Sequence, residues 1–327
     1  MIGPESMSAE RTKHSPGTEA FCGIVGRHRS IQELAGAIEG LSRLRTTVLI
    51  TGESGTGKEL VARAIHLRGD SPGEPFVGIN CGAFTRSLLE DQLFGHVRGA
   101  FTGAAGAKDG VFVSAAKGTL FLDEITEMDL DLQGRLLRAV QEREVIPLGT
   151  NRPVGWEARL VVATNRDITG LVEAGSFRKD LYYRINVVQV HTPPLRERIE
   201  DLPLLVDHFL ESLHREHGLS KRISQEALEL LLRYSYPGNV RELRNAIERA
   251  YALGLSDRIG PQDLPPQFHA PRAGGFKSLA DVEREHILQA LKLAGGKKTL
   301  AARFLEIDRN RLDRKIRKHR IQLSERS

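Results

Sequence analysis

Cysteine is scarce in this chain of 327 residues, and long hydrophobic runs are missing from it. Two cysteines, Cys22 and Cys81, are too few for a disulfide framework and lack the spacing of a zinc site, so we expect both to be buried thiols. No apolar run approaches the roughly 18 residues that a membrane-spanning helix needs, and residues 1–20 contain no apolar signal segment. We therefore expect a cytoplasmic protein with no membrane partner.

The composition is that of a globular protein with one basic end. Hydrophobic residues make up 40% of the chain and charged residues 27%, which excludes global disorder. The net charge is +5, but the segment from Lys292 to Arg320 has eleven basic and three acidic residues, a net charge of +8. Such a segment is expected of a nucleic-acid contact, because neutralised phosphates release counterions. A solvated surface is the alternative.

Periodicity divides the chain into several segments. From Ile24 to about Val190, β-rich runs at 47–50, 76–80, 119–122 and 159–163 alternate with helical patterns, which predicts a parallel sheet covered by helices. From Pro194 the strands stop and amphipathic helices follow, such as 202–217 and 225–234. The expected parts are a flexible lead (1–20), an α/β subdomain (21–193), a helical subdomain (194–264), a linker (265–277) and a small helical domain (278–327).

A glycine-rich loop joins the first of these strands to a helical pattern at 59–66. The loop consists of Gly52, Glu53, Ser54, Gly55, Thr56, Gly57 and Lys58. Glycines let backbone N–H groups face a phosphate, the helix N-terminus adds its positive dipole end, and Lys58 can reach the terminal phosphates. The loop therefore predicts a triphosphate site. Glu59 stands where Ser or Thr usually supplies a hydroxyl to magnesium, so we expect its carboxylate to substitute, directly or through water.

Two acids follow the buried strand pattern at 119–122. Asp123 and Glu124 are adjacent, and adjacent carboxylates repel unless a cation or a proton is shared. At the carboxyl edge of an α/β sheet they lie where ligands bind. We expect Asp123 to hold magnesium and Glu124 to orient and deprotonate an attacking water. A helix-capping acid pair is the alternative.

Three motifs together resemble one protein family. They read GESGTGKE at 52–59, GAFTGA at 99–104 and GTLFLDEI at 118–125. The chain resembles the sigma-54-dependent transcriptional activators, also called bacterial enhancer-binding proteins. GAFTGA is the discriminating motif, since the nucleotide motifs alone would indicate only an AAA+ ATPase. The resemblance covers about 24–321 and implies an AAA+ parallel sheet flanked by helices, a helical lid and a C-terminal helix-turn-helix domain of the Fis type.

The resemblance also implies a set of nucleotide-site residues and ATP with Mg²⁺ as cofactors. Ile24, Val25 and Leu60 join the loop residues in binding the nucleotide. Asn80 matches the asparagine that restrains Glu124 until a partner engages. A simple backbone cap at the end of the strand is the alternative.

Other matched positions are expected to sense or stabilise the phosphates. Thr164 and Asn165 match the sensor I position, and Arg241 matches sensor II. Arg178 and Arg184 match the arginine fingers that a neighbouring subunit supplies in this family. The resemblance therefore implies catalysis at subunit interfaces and a ring, hexameric by analogy.

The GAFTGA motif is expected to contact the sigma factor. Its residues are Gly99, Ala100, Phe101, Thr102, Gly103 and Ala104. Small residues flank Phe101, so we expect that nothing local buries its ring and that the ring is free for a partner. Val97, just before the motif, stands where the family usually carries Glu.

The basic end fits a helix-turn-helix with helices at 279–294, 298–305 and 309–319. Leu312 and Ile316 share one face of the last helix. The expected DNA-binding residues are Arg309, Arg311, Arg314, Lys315 and Lys318. These side chains can read guanine edges or only neutralise phosphates, and a helix pair for dimerisation is the alternative. Glu306 replaces the glycine usual in the Fis-like family, so a positive φ there would strain the turn.

The sequence thus predicts an ATPase that activates transcription. It would bind enhancer DNA and use ATP turnover to convert closed complexes of the sigma-54 RNA polymerase holoenzyme to open ones. The alternatives are another AAA+ remodeller or helicase loader, and a DNA-binding regulator that holds ATP without hydrolysing it. Family members often carry an N-terminal regulatory domain for which residues 1–20 leave no room, so we expect a regulatory protein that acts in trans, or control through expression level.

Overall fold

The structure, a computed structural model, describes residues 20–102, 104–269, 279–295, 297–319 and 321. It forms two compact units, one that ends at His269 and one that follows it. The expected lead up to residue 19, most of the expected linker (270–277) and Gly103 lie outside the described residues. Within the part that is described, no helix is long and apolar enough to cross a membrane.

Short strands and helices alternate through the first unit, and the second unit is helical. The strands are β1 (Ala20–Phe21), β2 (Ile24–Val25), β3 (Val48–Thr51), β4 (Phe76–Asn80), β5 (Gly95–His96), β6 (Lys108–Asp109), β7 (Thr119–Asp123), β8 (Glu144–Val145), β9 (Val154–Gly155), β10 (Arg159–Thr164), β11 (Val188–His191), β12 (Arg222–Ile223) and β13 (Arg258–Ile259). The helices are α1 (Arg29–Ser42), α2 (Lys58–Leu67), α3 (Arg86–Phe94), α4 (Val111–Ser114), α5 (Leu130–Glu142), α6 (Ile168–Glu173), α7 (Lys179–Ile185), α8 (Leu202–His217), α9 (Gln225–Arg233), α10 (Asn239–Leu253), α11 (Leu279–Leu293), α12 (Lys298–Phe304) and α13 (Arg309–Lys318).

The central sheet has five parallel strands in the order β11-β3-β10-β7-β4. Its register pairs Thr51 with Thr164 and Asn80 with Asp123, so the ends of four strands meet at one edge. The sequence predicted four of these five strands: β3, β4, β7 and β10. Asp123 and Thr164, which were expected just after β7 and β10, are the last residues of these strands. Strand β11 was missed. It is an edge strand whose alternate residues Gln189 and His191 are exposed, which gives it no continuous apolar run.

Helices cover both faces of the sheet because alternate strand residues face opposite cores. Val48 and Ile50 of β3 pack with α1 and α2, whereas Leu49 of the same strand packs on the other side. Leu122 of β7 and Val162 of β10 also contribute to that second core, together with helices α3 to α7. This arrangement confirms the α/β fold class and makes the carboxyl edge of the sheet the open side.

The lid subdomain packs helices α8, α9 and α10 around its own apolar core. Helices α8 and α9 match the predicted bounds within one residue, but the expectation that strands stop after Pro194 was wrong. β12 and β13 form a two-residue parallel pair that ties the start of α9 to the segment after α10. Pairs this short carry no alternation pattern that a sequence window could detect. Cys22, expected to be buried, is half-buried in the turn between β1 and β2, whereas Cys81 is buried.

Three helices form the second unit around an apolar core that includes Leu312 and Ile316. Helix α12 ends in a Schellman motif, since the N–H of Glu306 bonds to the carbonyl of Arg303 and the N–H of Ile307 to that of Ala302. Glu306 occupies the position of this motif that favours glycine, with a φ of 52°. The expected strain in the turn is therefore present.

Relief of this strain should stabilise the second unit. We expect Glu306→Gly to raise the free energy of local opening of α12 and α13 by about 1 kcal/mol, because glycine adopts positive φ without a steric penalty. Amide hydrogen exchange of the full chain measures the change. The control is Arg303→Gly, at a helical position of α12, which should lower the same free energy. Equal effects of the two variants would contradict the argument.

Candidate functional site

The glycine-rich loop lies between β3 and α2 at the open edge of the sheet. The Nζ of Lys58 donates hydrogen bonds to the carbonyl oxygens of Gly52 at 2.9 Å and Glu53 at 3.0 Å. Gly55 has a φ of +78°, and a Cβ at this position would collide with the carbonyl oxygen of Gly238. The loop is therefore curled around the ammonium group of Lys58, beside the first turn of α2 with its unpaired N–H groups.

Asp123 and Glu124 lie at the same edge of the sheet. The Oδ1 of Asp123 accepts a hydrogen bond of 3.0 Å from the N–H of Glu124. Burial raises the pKa of Asp123, and the nearby charge of Lys58 opposes this effect. Burial also lowers the pKa of Lys58, which the two acids oppose. The ammonium of Lys58 and the two carboxylates thus lie close enough to influence one another, a contact that the sequence analysis did not predict.

Glu124 has a strained backbone, with a φ of 53°. A Cβ built at Gly82 would lie 2.8 Å from the Oε2 of Glu124, so the missing side chain at Gly82 leaves the space that this carboxylate needs. The Oδ1 of Asn80 accepts a hydrogen bond from the N–H of Gly82 at 2.8 Å. Among the described residues, Asn80 makes no hydrogen bond to Glu124. The expected pairing is therefore not formed in this structure, because Asn80 instead caps the turn that follows β4.

The two sensor I candidates differ in their surroundings. Thr164 is fully buried at the end of β10, where its hydroxyl lies 3.0 Å from that of Thr126 and accepts a hydrogen bond from the N–H of Arg166. Asn165, the next residue, is exposed. Thr126, which sequence reasoning missed, links the end of β10 to the turn that contains Glu124.

The lid contacts the phosphate loop through the first turn of α10. Asn239 is fully buried, with a φ of 52°. Its Nδ2 donates to the Oε2 of Glu53 at 3.1 Å and to the carbonyl of Ser54 at 3.0 Å, and its Oδ1 accepts from the N–H of Leu195 at 2.9 Å. Sequence reasoning missed Asn239, because an asparagine at a helix start is usually a local cap.

Two arginines strengthen the same contact. Both Nη atoms of Arg196 bind the carboxylate of Glu53, at 2.6 and 2.7 Å. These hydrogen bonds and the one from Asn239 lower the pKa of Glu53 to about 2. The Nη1 of Arg241 donates to the hydroxyl of Ser54 at 3.0 Å, so the sensor II candidate does lie against the phosphate loop.

A cavity of about 260 Å³ lies beside the phosphate loop, between the sheet and the lid. Ile24, Val25 and Leu60, which the resemblance indicated, line one side of it. The lid lines the other side with residues that sequence reasoning missed: Leu205, His208, Phe209, Val240 and Arg244. No motif marks these positions, which share only their place on the inner faces of α8 and α10. The cavity offers mainly apolar walls next to the phosphate loop.

One of the two candidate metal ligands, Glu59, is already engaged by another side chain. The carboxylate of Glu59 forms an ion pair with Arg63, one turn further along α2, at 2.8 Å. Within the described residues, no group of three or more His, Cys, Asp or Glu side chains is arranged to hold a metal ion. This does not conflict with magnesium at a nucleotide, because Mg²⁺ in such sites binds one or two carboxylates, phosphates and water.

The arginine finger candidates are exposed on and beside α7. Arg178 forms an ion pair with Asp180 at 2.7 Å, and its N–H donates to the side chain of Gln133. The Nη2 of Arg184 lies 3.5 Å from the carbonyl of Val140. In the part of the chain that is described, neither arginine bonds to the phosphate loop of its own subunit.

Backbone hydrogen bonds connect the described residues of the GAFTGA segment and the residues just before it. The N–H of Gly99 donates to the carbonyl of Ala104 at 2.9 Å, and the N–H of Val97 donates to the carbonyl of Leu148 at 3.0 Å. Thr102 is exposed, and Phe101 is 48% exposed. We expected that nothing local buries the ring of Phe101, and one local side chain does contact it. Its ring packs edge-on against the ring of His96, with 5.0 Å between the centroids.

The basic side chains of α13 divide into two groups. Those of Arg309, Arg311, Arg314 and Lys318 are exposed. Lys315, also expected to bind DNA, instead forms an ion pair with Glu283 of α11, which His319 contacts at 2.8 Å. These partners lower the pKa of Glu283 to about 2. Lys315 follows the buried Leu312 by three positions and therefore lies towards the core side of the helix.

Family models match most of the chain. The model of the sigma-54 interaction domain matches residues 24–191, which is more than half of the chain. The chain belongs to this family. A model of the AAA+ ATPase lid domain matches residues 196–279, and one of the Fis family of bacterial regulatory proteins matches 278–319. The chain is therefore an AAA+ ATPase and a sigma-54-dependent transcription activator with a Fis-type DNA-binding end, as the sequence predicted.

Individual relatives agree with this assignment. Transcriptional regulatory protein ZraR of Salmonella typhimurium is 48% identical over 300 residues, which cover 90% of this chain and 68% of ZraR. NtrC, a DNA-binding transcriptional regulator of Rhizobium meliloti, is 41% identical over 333 residues, which cover 90% of this chain and 69% of NtrC. The crystal structure of NtrX from Brucella abortus in complex with ADP superimposes with a TM-score of 0.72 at 30% identity, covering 91% of this chain and 70% of NtrX.

Asn239 should contribute strongly to stability. Truncation by Asn239→Ala removes three hydrogen bonds and leaves the buried N–H of Leu195 without its acceptor, so we expect the free energy of unfolding to fall by about 2–4 kcal/mol. Urea denaturation measures the loss. Asn245→Ala, at an exposed position of the same helix, is the matched control and should change the free energy by less than about 0.5 kcal/mol. A loss no larger than that of the control would contradict the role of Asn239.

Proposed function

We propose that this activator hydrolyses ATP at the interfaces of a homo-oligomeric ring, hexameric by family analogy. Each turnover would drive the GAFTGA tips against the sigma-54 RNA polymerase holoenzyme and convert a closed promoter complex to an open one. The observation that carries the proposal is the convergence of Lys58, Asp123, Glu124 and Arg241 on one edge of the sheet, beside a cavity of about 260 Å³.

ATP fits this arrangement. The cavity would take the adenosine against its apolar walls, and the backbone N–H groups of the loop and Lys58 would hold the phosphates. NtrX has been solved in complex with ADP and with ATP, which supports a nucleotide at the corresponding place here. Arg241 would approach the terminal phosphates from the lid, since its guanidinium already lies 3.0 Å from the hydroxyl of Ser54.

Magnesium fits the acid pair. Asp123 uses one carboxylate oxygen for the N–H of Glu124 and would bind the metal through the other, with Glu59 as a second oxygen donor, directly or through water. When bound, Mg²⁺ neutralises charge on the phosphate oxygens.

Glu124 would deprotonate the attacking water. The carboxylate lies beside Gly82 at the turn that Asn80 caps, and we propose that a change in this turn brings Asn80 and Glu124 together in a resting state. Thr164 and Asn165 would report the presence of the γ-phosphate, with Thr126 as the link to Glu124.

The exposed Arg178 and Arg184 would complete the site of a neighbouring subunit. A guanidinium stabilises the charge that spreads over the phosphoryl oxygens during transfer, and neither arginine is engaged with its own phosphate loop in the described structure. The GAFTGA residues would contact sigma-54, and α13 would enter the major groove of enhancer DNA. A regulatory protein that acts in trans stays a prediction.

Mixed rings test the interface site. Alone, Glu124→Gln should lower the rate of phosphate release by about 10²–10⁴, and Arg184→Ala should lower it to a similar or greater degree. In an equal mixture, about a quarter of the interfaces join an intact Glu124 to an intact Arg184, because each interface combines different faces of two subunits. Activity should therefore reappear on mixing.

The mixture has clear controls. Glu173→Gln changes an exposed glutamate of α6 and should leave the rate unchanged. No recovery on mixing would contradict catalysis between subunits. A Glu124→Gln rate equal to that of the unchanged chain would favour the alternative, a DNA-binding regulator that holds ATP without turnover.

Two neighbouring residues of α13 test the DNA contact. Arg314→Ala should weaken DNA binding and reduce the slope of log affinity against log salt by about 1, as expected for one lost phosphate contact. Lys315→Ala should leave the slope unchanged and lower the hydrogen-exchange protection of α13, because its partner is Glu283. Binding assays at several salt concentrations separate the two. Equal changes of slope in the two variants would indicate that Lys315 also contacts a DNA phosphate.

A further inference from the structure

A buried aspartate ties together the two strands at the base of the GAFTGA loop. β5 leads into the loop and β6 leaves it, and their antiparallel register places His96 opposite Lys108. Asp91, on the neighbouring helix α3, bonds to both: its Oδ1 lies 2.5 Å from the Nδ1 of His96, and its Oδ2 lies 3.1 Å from the Nζ of Lys108. One carboxylate thus fixes both ends of the loop to the helix.

The charge on Asp91 is maintained although its side chain is only 11% exposed. Burial acts to raise the pKa of Asp91, but the hydrogen bonds from His96 and Lys108 outweigh it, and the pKa is lowered. An ionised carboxylate accepts strong hydrogen bonds, which restrict the rotation of the imidazole. The ring of His96, whose side chain is also 11% exposed, is therefore held in one orientation.

The ring of His96 also contacts the loop tip. The rings of His96 and Phe101 meet at an interplanar angle of 66°, an edge-to-face arrangement that is favourable for aromatic pairs. The backbone of the tip is set separately, by the hydrogen bonds from Gly99 to Ala104 and from Ala104 to Phe101. These backbone hydrogen bonds leave the side chain of Phe101 free to rotate, since only small residues flank it. The contact with His96 restricts that freedom.

We propose that His96 is a positioning residue for engagement of sigma-54: held by Asp91, its ring fixes Phe101 in the orientation that the partner meets. This inference rests on the proposed function, in which Phe101 contacts sigma-54. A partner that meets a fixed aromatic ring does not have to order it on binding, so the contact raises affinity by preorganisation. Phe101 therefore remains accessible, at 48% exposure, while its ring keeps one defined contact.

His96→Asn separates this role from support of the loop base. The amide of asparagine can still donate to Asp91, but it has no ring to contact Phe101. The measurement is the half-saturating concentration of sigma-54 in ATP-driven open-complex formation by the full chain. We expect it to rise about threefold to tenfold in His96→Asn, with the maximal rate of open-complex formation at saturating sigma-54 unchanged. Arg98→Ala, in the same loop, is the matched control and should raise it less.

A second measurement does not depend on sigma-54. With 4-fluorophenylalanine at position 101, the ¹⁹F resonance should shift towards the value of the free amino acid in His96→Asn, because the ring current of the imidazole is lost. His96→Phe keeps a ring at this place and should retain most of the shift. An unchanged resonance in His96→Asn would overturn the proposal, as would an unchanged or lower half-saturating concentration of sigma-54.

Phe101→Ala distinguishes failure of the inference from failure of the proposed function. If Phe101→Ala binds sigma-54 as well as the unchanged chain does, the proposed contact of the tip is wrong, and the inference that rests on it falls with it. If Phe101→Ala abolishes binding while His96→Asn behaves as the unchanged chain, the proposed contact stands and the positioning role of His96 alone is overturned.

Discussion

The contact between the first turn of α10 and the phosphate loop is the interaction on which the rest of the site depends. Asn239 bonds to Glu53 and Ser54 on the loop and to Leu195 at the start of the lid. It sits in a left-handed conformation that costs about 1–2 kcal/mol for most residues and less for asparagine. The three hydrogen bonds of its side chain outweigh this cost. The same turn of α10 carries Arg241, and Val240 beside it lines the cavity.

Backbone strain also occurs at the sheet side of the site, at Glu124. Glu124 adopts a positive φ directly after β7, where no hydrogen bond to its own side chain compensates within the described structure. The absence of a side chain at Gly82 and the cap from Asn80 define the space into which its carboxylate turns. Strain of this kind persists only where the surroundings enforce it, and it often marks a functional position. The turn with Glu124 and the start of α10 are thus both held away from their relaxed conformations.

Residues whose place is set by a local sequence pattern could be predicted. Residues whose role depends on a neighbour distant in sequence could not. Lys58, Asp123 and Glu124 follow from a glycine loop and a buried strand, because both patterns fix where the chain must turn. Lys315 lies next to Arg314 in sequence and has the same charge, yet Glu283 of another helix decides its role. The edge-to-face contact of Phe101 with His96 likewise needs a hairpin register that no local pattern records. Glu306 was predictable because a Schellman motif has a fixed backbone requirement.

The charge on Glu53 links the position of the lid to the properties of the phosphate loop. With a pKa lowered to about 2, this side chain is ionised within a loop that would bind a triphosphate. An uncompensated anion there would repel the phosphates. Arg196 neutralises it through two hydrogen bonds, and Asn239 donates a third. Both partners belong to the chain segment that leads into the lid or to the lid itself. A lid that moved away would leave the carboxylate without these partners, so the position of the lid and the affinity of the loop for phosphate are physically linked.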